Sequence, residues 1–155
     1  MTTTAATATL ARPRAFKVGA WFGNCTEPGA DVMTDGCSAF RVTTDRARRY
    51  QARPAKGTRT YPPSVVTEYF DRVSAHCSTA EAVPVEGLDV IETPTGRKVV
   101  FGRDSEPLPL KINAQYLEMA AWCWPGCSVA PDYRGEQGLI LDANGALVGI
   151  IKGMR

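Results

Sequence analysis

The chain has one histidine, His76, so any device that needs an imidazole base must use that single residue. His76 falls at the end of an expected helix beside Cys77. Adjacent helical residues point about 100° apart, so the two do not face each other as a nucleophile pair. A glycine-rich phosphate loop is also missing: Gly135 and Gly138 flank Glu136, with no Lys-Ser or Lys-Thr behind them. The carboxylate pairs Glu81 with Glu86 and Asp132 with Glu136 lie in Pro- or Gly-rich stretches whose spacing fixes no site. These absences point away from an enzyme and from a bound cofactor.

Long apolar runs are lacking, and none approaches the roughly 18 residues that span a bilayer, so no membrane partner is expected. Acidic residues are missing before Glu27. Residues 1–15, rich in Thr and Ala, lack the apolar core of a secretory signal and read as a disordered N-terminal tail. Their acid-free character would also suit an organellar transit peptide. The cysteines Cys25, Cys37, Cys77, Cys123 and Cys127 form an odd set without secretory context, which favours reduced thiols in a cytoplasm. Three residues lie between Cys123 and Cys127, whereas redox motifs have two between their cysteines. A zinc ion there would need two more ligands from Cys25, Cys37, Cys77 or His76, so small buried residues are the expectation and no metal is assigned.

What is present fits one domain over residues 16–155: the chain has 155 residues, of which 44% are hydrophobic. A strand is expected at Phe16 to Phe22 and a loop at Asn24 to Gly29. A hairpin follows, from Asp31-Val-Met-Thr through a turn at Asp35-Gly36 to Ala39 to Thr43. Ser64 is a plausible cap for a helix whose Val66, Tyr69, Phe70 and Val73 recur at helical spacing. Leu88 to Phe101 reads as a hairpin around Pro94-Thr95-Gly96, and Pro107 and Pro109 keep the next segment extended to Ile112. Asn113 caps a helix to Trp124, with Leu117, Ala120, Ala121 and Trp124 on its apolar face and Gln115, Glu118, Met119 and Trp122 on its polar side. Leu139 to Leu141 and Ala146 to Ile151 pair across Asn144-Gly145. The second half is thus a strand-helix-strands unit, and the first half reads as a divergent copy. The expected class is α+β, with antiparallel sheets and two helices on one face.

Three segments resemble the bacterial DNA sliding-clamp family and the short clamp-like proteins of phages. Val32-Met-Thr-Asp-Gly36 is similar to the family strand ending in Ala-Thr-Asp-Gly. Ile112-Asn-Ala-Gln-Tyr-Leu117 is similar to its Asn-Pro-x-Tyr-Leu helix opening, and Ile150-Ile-Lys-Gly-Met-Arg155 to its closing Ile-Met-Pro-Met-Arg strand. The resemblance covers about a third of the chain and departs at Cys37-Ser38 and Gly153. It implies a DNA-clamp-like fold in a bacterial host cell and a non-enzymatic role in processivity or recruitment. The implied partner is duplex DNA or a nucleic-acid-processing protein complex, with a homo-oligomer as one possible state. It also implies a partner-binding region about Trp122, Met154 and Arg155. A blocker of a host nucleic-acid enzyme complex, of the anti-defence kind, is the alternative.

Net charge is only +2, yet the cations are unevenly placed. Arg41, Arg46, Arg48, Arg49, Arg53, Lys56 and Arg59 are set against one acid, Asp45. With Tyr50 among them, they form the expected surface for nucleic acid or for an acidic partner.

Overall fold

The computed structural model describes residues 7–9, 31–43, 61–76, 82–96, 98–103, 106–132 and 134–154. Ten strands and two helices occur among them, so the class is α+β with antiparallel sheets. The strands are β1 (Thr7–Thr9), β2 (Val32–Thr34), β3 (Ser38–Arg41), β4 (Val83–Pro84), β5 (Asp89–Glu92), β6 (Lys98–Arg103), β7 (Glu106–Asn113), β8 (Ser128–Pro131), β9 (Gln137–Leu141) and β10 (Leu147–Lys152). The helices are α1 (Pro63–Ser74) and α2 (Ala114–Cys123).

Hairpin chemistry places most of these elements. Asp-Gly and Asn-Gly supply the positive φ of tight turns, and Gly36 sits at φ +89° between β2 and β3. Asp142 Oδ1 accepts from Asn144 N and Ala146 N, both at 2.9 Å, which closes the β9–β10 turn. The antiparallel pairing of β3 with β10, with Ala39 opposite Ile150, then joins the two hairpins into one sheet. Its order is β2-β3-β10-β9-β8-β4, and a smaller sheet runs β1-β5-β6-β7. Pro107 and Pro109 stand in β7, an edge strand of the smaller sheet, where a missing N–H is tolerated.

Side chains alternate across the large sheet and build two cores. Met33, Phe40, Val129, Ile140, Val148 and Ile151 point to the larger core, which they share with α2 and with Val90, Val100, Leu110 and Ile112 of the smaller sheet. Val32, Ala39, Ala130, Leu139, Leu141, Leu147 and Ile150 point the other way, toward Val66 and Phe70 of α1. The helices therefore lie on opposite faces of the large sheet, not on one face.

Three local expectations also change. Thr7–Thr9, inside the expected tail, pair with β5, as Thr's β preference allows. The first helix starts two residues early: Pro62, not Ser64, stands at the cap without a side-chain bond, and Pro63 takes the first helical position that proline's fixed φ suits. Met119 is fully buried, not on a polar side, because α2 is enclosed between the large sheet and the small one. Asn113 does cap α2, accepting from Gln115 N at 3.0 Å. The expected strand at Phe16 to Phe22 and loop at Asn24 to Gly29 lie outside the described residues.

The chain end ties the two sheets together. Gly153 N donates to Glu136 O, and Met154 N donates to Lys111 O of β7, both at 2.8 Å. A Cβ at Gly153 would lie 2.7 Å from Glu136 O, so only glycine fits this approach.

Candidate nucleic-acid interface

The turn at Thr34-Asp35-Gly36 is held from both sides. Asp35 Oδ1 accepts from Cys37 N at 2.9 Å, Ser38 N at 2.8 Å and Ser38 Oγ at 3.1 Å. Thr34 Oγ1 accepts from Gly36 N and donates to Ser38 O at 2.7 Å. The other carboxylate oxygen, Asp35 Oδ2, accepts from the Tyr116 hydroxyl of α2 at 2.7 Å. Burial, reinforced by the Asp35 carboxylate and by Cys37, pushes the Tyr116 phenol well above its ordinary value. Tyr116 therefore keeps its proton and serves as a fixed donor. The Tyr116–Asp35 bond joins the β2–β3 turn to α2.

Arg41 closes the other end of the β2–β3 hairpin. Its guanidinium lies over the Phe70 ring, 5.2 Å from the centroid, and pairs with Asp71 at 3.5 Å. Its carbonyl accepts from Trp124 Nε1 at 2.9 Å. Arg41 is thus engaged by α1, and its charge is partly offset there. Arg46, Arg48, Arg49, Tyr50, Arg53, Lys56 and Arg59 lie outside the described residues. The chain that carries them leaves from Thr43, two residues beyond Arg41, and returns at Tyr61, which packs on the α1 core.

Two hollows flank α1 on this face, and sequence reasoning had not identified either. The first, about 360 Å³, lies between α1 and the β2–β3 hairpin and is lined mainly by apolar atoms of Ala39, Tyr61, Val65, Val66 and Tyr69, with Glu68 and Arg72 among its lining residues. Val65 is 53% exposed here, the one large hydrophobic side chain so exposed among the described residues. The second, about 340 Å³, lies between α1 and the β8–β9 turn, and its charges are mixed: Arg72 and Arg134 with Asp132 and Glu136, beside the His76 ring. Gln137 Nε2 donates to the Tyr69 hydroxyl across it, fixing the tyrosine that lines both hollows. The available signal was Val65 beside Val66: adjacent valines on a helix cannot both face one core.

The remaining expected site residues are held by different elements. Trp122 is half-buried against the larger core from α2. Met154 is half-buried and tied to β7, and Arg155 lies outside the described residues. Cys123 and Cys127 are buried and form no disulfide. Burial, with smaller contributions from Glu86 and Cys123, pushes the Cys127 thiol up to about 12, so it stays protonated at neutral pH. Among the described residues no group of three or more His, Cys, Asp or Glu gathers as metal ligands. None of the described helices is long and apolar enough to cross a membrane. Comparison of the chain with family models, curated proteins and solved structures returns no match.

Proposed function

We propose that the protein is a non-enzymatic, clamp-like nucleic-acid-binding protein that uses its basic segment to engage DNA within a DNA-processing machine, as a processivity or recruitment factor. The observation that carries this reading is the density of cations between Thr43 and Tyr61, six against the single acid Asp45. Five of the six are arginines, whose planar forks suit phosphate oxygens. Neither helix competes for the role. The outer side of α2 offers Gln115 and Glu118, and α1 exposes Glu68, Asp71 and Arg72. With the helices on opposite faces of the large sheet, a duplex meets no shared helical wall, so phosphate contact falls to the basic segment.

The same cation-poor helices favour a second reading, a blocker that binds a host nucleic-acid enzyme complex through the same segment. A pull-down from the host that recovers such an enzyme, with its activity lost, would select that reading.

The test is binding to random duplex DNA at about 50 mM salt by electrophoretic mobility shift. The triple variant Arg46→Ala, Arg48→Ala, Arg49→Ala is expected to lose at least about tenfold in affinity. No binding by the parent protein at low salt would sink the DNA reading.

A further inference from the structure

The hollow between α1 and the β8–β9 turn plays no part in the nucleic-acid reading. One wall is a stripe of α1 at helical spacing, Tyr69, Arg72 and Val73, continued by His76, whose N–H donates to Val73 O at 3.1 Å. The facing wall is a braced turn. Asp132 N donates to Gln137 O at 2.9 Å, Asp132 Oδ1 accepts from Glu136 N at 2.8 Å, and Glu136 O accepts from Gly153 N of the chain end. The Gln137 side chain donates to the Tyr69 hydroxyl and ties the two walls together, so little ordering is left for a ligand to impose. Leu139 is buried at the floor, with Tyr69 and Val73 half-buried beside it. At about 340 Å³ the hollow falls at the lower end of the range for small-molecule sites.

The charges on the rim narrow the choice of ligand. Arg72 stands on the helix wall and Glu136 on the turn wall, and both are exposed. Among the described residues neither makes an ion pair, with the other or elsewhere, and Asp71, next to Arg72 in the chain, is taken by Arg41. Arg134 and Asp132 also line the hollow, so arginines and carboxylates balance two against two, and a polyanion finds no net field drawing it in. We infer that this hollow binds a small zwitterion of the amino-acid class with an apolar side chain. Its carboxylate lies on Arg72, its ammonium on Glu136, and its side chain against Tyr69, Val73 and Leu139. The inference goes beyond the nucleic-acid reading and rests on none of the cations that carry it.

The experiment is a chemical-shift titration of the full chain with three probes of one shape: L-phenylalanine, phenylpropanoate, which lacks the ammonium, and phenethylamine, which lacks the carboxylate. L-phenylalanine is expected to bind with a Kd of about 1 mM or tighter. Each analogue is expected to bind at least about tenfold more weakly, the loss of one charge-assisted contact. Two variants at exposed positions assign the ends. Arg72→Gln is expected to weaken L-phenylalanine and phenylpropanoate and to leave phenethylamine unchanged. Glu136→Gln is expected to weaken L-phenylalanine and phenethylamine and to leave phenylpropanoate unchanged. Binding of phenylpropanoate or of phenethylamine as tight as that of L-phenylalanine would overturn the inference in favour of a site for one charge. Unchanged binding in both variants would overturn it by placing the ligand elsewhere, as would a loss common to all three probes. Absence of any shift with L-phenylalanine at about 10 mM, tenfold above that Kd, would also overturn it.

Discussion

The two faces of the six-stranded sheet differ in what covers them. One is sealed by α2 and the smaller sheet, and Phe40, Ile112, Leu117, Met119 and Ile140 are fully buried in that core. The other carries α1 alone among the described helices, with a hollow on each side, an exposed valine and a surface ion pair. Among the described residues the first face is closed by buried side chains, and the second is open on both sides of α1. The closed core and the open hollows therefore lie on opposite sides of one sheet.

That division is broken most sharply by truncating one residue on each helix. Leu117→Ala on α2 is expected to cost about 2–5 kcal/mol, the range for emptying a closed core. Val66→Ala on α1 is expected to cost about 1–2 kcal/mol, since it removes about two methyl groups beside an open hollow. Urea unfolding of both variants checks the order, and a larger loss at Val66 would contradict it.

A second test uses alkali. Folding raises the Cys127 thiol from 9.0 to about 12, so above pH 9 the folded state holds a proton that the unfolded chain releases. Stability is then full below pH 9 and falls as pH rises toward 12, by at most about 1.4 kcal/mol per pH unit from this group. Tyr116 shifts in the same direction and steepens the loss above pH 10. Cys127→Ala is expected to flatten the curve between pH 9 and 10, measured by the thermal midpoint. An unchanged slope would contradict burial of the thiol on the sealed side.

The smallest effect concerns the bond that links the hairpin to α2. Tyr116→Phe removes a donor to the Asp35 carboxylate and is expected to cost about 1–2 kcal/mol in urea unfolding. A neutral result would mean that the turn's own bonds to Asp35 Oδ1 hold it alone.

How much of this was legible in the sequence depends on how local each signal is. Asp35-Gly36, Asn144-Gly145 and the Asn113 cap act through neighbours in the chain, and the hairpins and helix they announce are present. β8 was missed because Ser128-Val-Ala-Pro131 is short and ends in proline, and becomes a strand only through pairing with β9 and β4. The placement of the helices on opposite faces was not legible, since each helix packs into its core through residues distant in the chain, such as Phe70 with Leu139 and Ile150. Within the candidate site, the cation cluster was plain from composition. The engagement of Arg41 by Phe70 and Asp71, and the groove at Tyr61 and Val65, arise only when α1 is laid across the sheet.

The most direct test of the central claim is the slope of log K against log salt for duplex DNA, compared between the parent protein and the triple variant Arg46→Ala, Arg48→Ala, Arg49→Ala. If the basic segment carries the phosphate contacts, the slope is expected to become shallower by about 2.7, near 0.9 for each lost contact. An unchanged slope would place the contacts elsewhere and contradict the account.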